Sequence, residues 1–86
     1  MARYSIQIKP SAVREIEAIP QKKLRQGIVR RIHALADDPR SPGCEKLTGH
    51  DRYRVRQGQY RIVYSVEDQF LVVNIVKVGH RSSVYR

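Results

Sequence analysis

The most constraining stretch of the chain lies between Arg52 and Val66, where two runs rich in β-branched and aromatic residues flank Gly58-Gln59. Gly58 in the first place of a two-residue loop predicts a type II′ hairpin turn. That turn sets Gln57 opposite Tyr60, Arg56 opposite Arg61, Val55 opposite Ile62 and Tyr53 opposite Tyr64. One face then carries Tyr53, Val55, Ile62 and Tyr64, a coherent core face, and the other carries Arg52, Arg54, Arg56 and Arg61. A three-residue loop over 57–59 would set Arg54 against Ile62 and mix the two faces. Because a one-residue slip moves every side chain to the wrong side, the hydrophobic pattern favours the first register. It carries a cost: Arg56 directly across from Arg61 is a like-charge pair, which destabilises a sheet. No acid between Asp51 and Glu67 relieves it locally.

The remaining elements are built around this hairpin. Tyr4, Ile6 and Ile8 alternate with polar residues as in a half-buried strand. Pro10-Ser11 suits a helix start, with Ser11 as N-cap or Pro10 at the first helical position. Ala12, Val13, Ile16 and Ile19 give a short apolar stripe before Pro20. From Gln21 to Ala36 the set Leu24, Ile28, Ile32 and Leu35 repeats at helical spacing. Asp37-Asp38-Pro39 and Ser41-Pro42-Gly43 close that helix and form a loop. A last strand is predicted over Phe70 to Val78, and Gly79 to Arg86 reads as a loop or one helical turn. The expectation is an α+β fold in the order β-α-α-β-β-β: an antiparallel sheet, its last three strands a meander, with two N-terminal helices packed on one face.

Eighty-six residues suit a single domain, 1–86, with a small core. Seventeen Lys and Arg against eight Asp and Glu give a net charge of +9. A hydrophobic content of 41% separates the chain from a disordered basic tail. The longest aliphatic or aromatic run, Phe70 to Val73, is far too short to span a membrane, and Met1 to Pro10 lacks the apolar stretch of a signal peptide. The expected location is therefore the cytoplasm. A lone Cys44 excludes an internal disulfide framework.

Charge and chemistry point to a polyanion. Twelve of the seventeen basic residues are Arg, the side chain suited to bidentate phosphate contacts. The bland alternative is a solvated face relieved by acids from elsewhere in the fold. His33, His50 and His80 are scattered without ligand spacing, so no metal is expected; nor is a cofactor, because no glycine-rich phosphate loop opens a helix. Metal-free RNA cleavage remains available. It needs the RNA's own 2′-hydroxyl activated, the crowded phosphate stabilised and the leaving oxygen protonated. Arginines serve the second task as fixed charges. His80 and Tyr85, in the basic tail, are the candidates for moving protons, Tyr85 only if cationic neighbours lower its pKa.

Lys46-Leu47-Thr48-Gly49, Tyr60-Arg61-Ile62-Val63-Tyr64, and Val78-Gly79-His80-Arg81 followed by Val84-Tyr85 occur in this order after a β-α-α opening. Together they resemble the Lys-Leu-x-Gly loop, the central strand and the closing segment of the RelE branch of the RelE/ParE toxin superfamily of bacterial toxin–antitoxin systems. The resemblance covers nearly the whole chain and implies the same β-α-α-β-β-β fold. It implies a ribosome-dependent endoribonuclease that cuts messenger RNA in the ribosomal A site, leaving a 5′-hydroxyl and a 2′,3′-cyclic phosphate, and that is restrained by a RelB-like antitoxin. By position, Arg54 and Arg56 match the basic pair on the first hairpin strand, and Arg61 matches the arginine that holds the scissile phosphate. Arg81 matches the tail arginine assigned to phosphate stabilisation or leaving-group protonation, and Tyr85 the tyrosine assigned as base. Arg52, Lys46 and Lys77 are expected to add RNA contacts.

Two departures matter. The strand pair, often Lys-x-Lys in the family, is Arg54-Val55-Arg56 here, which favours charge stabilisation over proton transfer. His80 beside Arg81 leaves open which group is the base and which only assists. Two other functions stand beside the nuclease: a ParE-like toxin that binds DNA gyrase without RNA chemistry, and a non-catalytic basic RNA-binding module.

Overall fold

A computed structural model describes residues 3–47 and 51–82. Strand β1 (Ser5–Ile8) is followed by helices α1 (Pro10–Glu17) and α2 (Lys22–Ala34). Four further strands are β2 (Glu45–Lys46), β3 (Tyr53–Gln57), β4 (Tyr60–Glu67) and β5 (Val72–His80). They form one sheet in the order β1-β5-β4-β3-β2. The expected order of elements is present, with two additions. β2 is a short strand that periodicity did not reveal, and β1 lies parallel to β5, so the sheet is mixed rather than wholly antiparallel.

The hairpin register is the one the alternation requires: Tyr53 faces Tyr64, Val55 faces Ile62, Arg56 faces Arg61 and Gln57 faces Tyr60. Gly58 has φ +60, and Gln59 is not among the residues of positive φ, as a type II′ turn demands. On the helix side, Val55, Ile62, Tyr64, Val73, Ile75 and Val78 meet Ala12, Ile16, Ile28, Ile32 and Leu35 in one core cluster. Burying each of the larger side chains contributes roughly 1.5–3 kcal/mol. Tyr64 is wholly buried yet satisfied, because its hydroxyl donates to the Pro39 carbonyl at 2.6 Å.

β5 contains a correction of phase. From Val73 and Ile75, strict alternation would send Lys77 into the core. Instead Val63 pairs with Lys77 and Tyr64 with Ile75, leaving Val76 as the extra residue of a bulge. The bulge turns Val78 inward, where it is 2% exposed, and sets Gly79 opposite Arg61. β1 pairs only as far as Ile75, and beyond it α1 covers the edge. There the Val78 N–H donates to the Glu15 carboxylate at 3.0 Å, and Lys77 Nζ donates to the same group at 3.4 Å.

Of the two starts offered for α1, the structure takes Pro10 at the first helical position, with Lys9 as N-cap. Two expectations of packing are revised. Leu24 and Val13 are 38% and 37% exposed and lie outside the core cluster, while Ala12, Ile16 and Ile19 of the first stripe are buried as expected. β5 starts at Val72 rather than Phe70 because Leu71 takes φ +53, a left-handed conformation that ends the preceding turn. No helix among the described residues is long and apolar enough to cross a membrane.

The loop after α2 is fastened by charge. Asp68 accepts two hydrogen bonds from Arg40, at 2.9 and 2.8 Å, and one from the Tyr4 hydroxyl at 2.6 Å. Arg40 also donates to Tyr53 and lies over its ring, 5.4 Å from the centroid. These donors, Arg40 first and then Tyr4, hold the Asp68 carboxyl down at about 2. A carboxyl whose folded pKa is depressed stabilises the fold above its ordinary value, and that contribution disappears as pH falls through the folded value. Asp68→Asn is therefore expected to lower the thermal midpoint at pH 6. The gap from the parent should close between pH 4 and pH 2, as followed by circular dichroism.

Candidate nucleic-acid interface

The face of the sheet turned away from the helices carries two cross-strand rows. In the first, Arg56 of β3 stands opposite Arg61 of β4, and Arg61 stands opposite Gly79 of β5. In the second, Arg54, Val63 and Lys77 are aligned. Val63 is 6% exposed on this face, flanked in register by the aliphatic stems of Arg54 and Lys77. Gly79 places no side chain of its own opposite the half-buried Arg61. Among the described residues, the side-chain hydrogen bond of Arg61 is a long one of 3.3 Å to the Tyr60 carbonyl. The Arg81 N–H donates to the Gln59 carbonyl at 2.8 Å, which fixes the start of the tail beside the hairpin turn. Arg81 is thereby held at the end of the sheet where Arg56 and Arg61 stand. Such a cluster of fixed cations is suited to phosphate oxygens.

Glu45 is the residue that sequence reasoning missed. β2 pairs antiparallel with β3, and Glu45 falls directly opposite Arg54. Arg54 donates to its carboxylate at 2.6 Å. That hydrogen bond, the charge of Arg54, and the more distant charges of Arg56 and Arg61 hold the Glu45 carboxyl below the usual carboxylate range. The arginine face thus has a carboxylate brought from another part of the chain onto Arg54, as the bland reading of its charge anticipated. A two-residue strand carries no periodicity, so no pattern in the sequence announces it.

The other expected site residues divide. Arg52, just before β3, is exposed and continues the alternation of Arg54 and Arg56. Lys46 pairs with Tyr53, a residue of the core face, and so does not join the arginine rows. Lys77 is partly buried and committed to Glu15. His80 pairs with Tyr60, on the parity of the helix side, and its ring meets Tyr60 edge-on with centroids 5.7 Å apart. Its Nδ1 accepts the Ser82 backbone N–H at 3.3 Å and lies 2.9 Å from Ser82 Oγ. Tyr85, like Thr48 to His50, lies outside the described residues. Among the described residues no three His, Cys, Asp or Glu side chains gather where they could hold a metal.

Residues 6–85 match the family described as the ParE toxin of the type II toxin–antitoxin system parDE. Toxin RelG of Mycobacterium tuberculosis is 27% identical over 86 residues, which span 96% of this chain and 97% of that protein. Toxin RelE of the same organism is 28% identical over 96% of this chain and 87% of its own length. Among solved structures, a variant of Escherichia coli toxin RelE in the free state superposes with a TM-score of 0.78 at 28% identity, covering 99% of this chain and 92% of its own. The archaeal RelE–RelB complex of Pyrococcus horikoshii matches with a TM-score of 0.78 at 27% identity, over 98% of this chain and all of that one.

The Arg56–Arg61 pairing yields a test of whether Arg61 has a structural duty. Two guanidinium groups directly opposite repel, so removing one relieves the sheet. Arg61→Ala is expected to leave the thermal midpoint unchanged or slightly raised in calorimetry. A marked fall would make Arg61 part of the fold's support.

Proposed function

Because the chain belongs to the ParE toxin family of type II toxin–antitoxin systems, on its RelE side, we propose that it is a ribosome-dependent endoribonuclease that cleaves messenger RNA in the A site. The observation that supports this most is the row Arg56–Arg61–Gly79 with Arg81 fixed beside it. In metal-independent cleavage the 2′-hydroxyl oxygen attacks the adjacent phosphorus and the 5′-oxygen departs, giving a 2′,3′-cyclic phosphate and a 5′-hydroxyl. Negative charge builds on the non-bridging oxygens in the transition state. Arg61, with Arg56 and Arg54, is aimed at that charge, and losing one such donor typically costs about 10²–10³ in rate.

Proton transfer falls to the tail. Tyr85 is the base in this reading, a role that requires guanidinium groups to favour its phenolate. Arg81 assists the phosphate or the leaving oxygen. His80 has a helper's role, in keeping with its place across the sheet from the arginines. The partner that restrains the toxin is a RelB-like antitoxin, as in the RelE–RelB complexes of similar fold. Against a chain of net charge +9 such an antitoxin should present acidic together with apolar groups.

Single-turnover cleavage of a defined message on programmed ribosomes tests the reading. The parent should cut at defined A-site positions only when ribosomes are present. Arg61→Ala should slow the cut by about 10²–10³. Tyr85→Phe should preserve ribosome binding and slow cleavage strongly, with His80→Gln the milder change. A damaging His80→Gln beside a nearly silent Tyr85→Phe would transfer the base to His80. The parDE description of the family favours one alternative, a toxin that acts by binding DNA gyrase. Inhibition of gyrase supercoiling without any cut in the message would establish it.

A further inference from the structure

We infer that Glu45 is an internal competitor for the phosphate site: its carboxylate occupies Arg54 beside the Arg56–Arg61 pair and must yield before an RNA phosphate can engage all three arginines. The inference rests on the proposed function, since it assigns to RNA the face that Glu45 guards. Its geometry is direct. Antiparallel pairing places Glu45 across from Arg54, so both side chains leave the sheet on the arginine face. The two are joined at 2.6 Å, with the Glu45 side chain 56% exposed and Arg54 29% exposed. A carboxylate and a phosphodiester oxygen pair make the same demand on a guanidinium: one negative charge and two acceptors in a plane. While Glu45 is in place, part of the hydrogen-bonding capacity of Arg54 is spent and one unit of the face's positive charge is cancelled.

The contact is built to be exchanged. A surface ion pair of this kind contributes little to stability, because water and salt screen it. β2 is only two residues long, so Glu45 is held in the sheet by a minimal ladder. Two other carboxylates among the described residues meet this face, and both are engaged elsewhere: Glu67, at the far end of β4, by Asn74 at 2.9 Å, and Glu15 by Lys77 and the Val78 N–H. Glu45 is therefore the acid that sets how readily the arginine face takes a phosphate. Its consequence is discrimination. A loose single strand must displace Glu45 with few contacts in return, whereas a message held by a ribosome arrives already positioned. Suppressed binding of free RNA follows from one carboxylate.

Fluorescence anisotropy with a short single-stranded RNA, between 50 and 200 mM salt, tests this with the intact chain. Glu45→Gln keeps the shape of the side chain and removes its charge. It should bind the RNA about 3–10-fold more tightly at the low-salt end. Its salt dependence should steepen by about 0.7 in the log–log slope, the value for one additional phosphate contact on a single strand. Arg56→Gln, measured alongside, should weaken binding. Equal or weaker binding by Glu45→Gln, with Arg56→Gln still weakening, overturns the competitor and leaves the RNA face standing. Binding indifferent to Arg56→Gln, or no binding by any form, removes the RNA face itself and the competitor with it.

Discussion

The arginine face of the sheet depends on the register of the β3–β4 hairpin. Gly58 with positive φ makes a two-residue turn possible, and the alternation of Tyr53, Val55, Ile62 and Tyr64 with arginines makes any other pairing untenable. The buried side of that alternation is stabilised by the core. The exposed side has no choice but to bring Arg56 and Arg61 together. A like-charge pair is thus fixed in place by apolar packing on the opposite face of the same strands.

The surrounding structure completes this arrangement without relieving it fully. The bulge at Val76 rephases β5 so that Val78 enters the core and Gly79, rather than a side chain, stands beside Arg61. The Arg81–Gln59 backbone bond brings a further cation to the same end. Glu45 supplies partial compensation from β2, through Arg54 and not by a direct bond to the Arg56–Arg61 pair. Cations that the fold holds close while leaving them hydrogen-bonding capacity are pre-organised for an external polyanion, since their mutual repulsion is already met by folding.

Much of this was legible in the chain. The hairpin pairing, the division of its two faces and the order β-α-α-β-β-β follow from local alternation and from Gly58, and each is present in the structure. What was not legible depends on contacts between distant segments. β2 exists because residues 45 and 46 find β3, and two residues hold no period. The bulge exists because Lys77 cannot be buried where simple alternation would send it, so packing overrides a regular pattern. Leu24 and Val13 fit their helical stripes yet stay exposed, because a stripe states which face is apolar and not how far the sheet extends beneath it. His80 looked like a neighbour of the arginines by its place in the chain, but strand pairing sends it to the Tyr60 side.

The central claim is that the arginine face of the sheet is where this toxin meets RNA phosphate. Arginine Nε–Hε resonances measured by NMR, with a short single-stranded RNA whose 2′-hydroxyls are methylated against cleavage, report that contact residue by residue. The account predicts that the signals of Arg54, Arg56, Arg61 and Arg81 shift together on titration, while those of Arg25 and Arg30 on α2 stay in place. Shifts confined to the α2 arginines, with the sheet arginines unmoved, would contradict it.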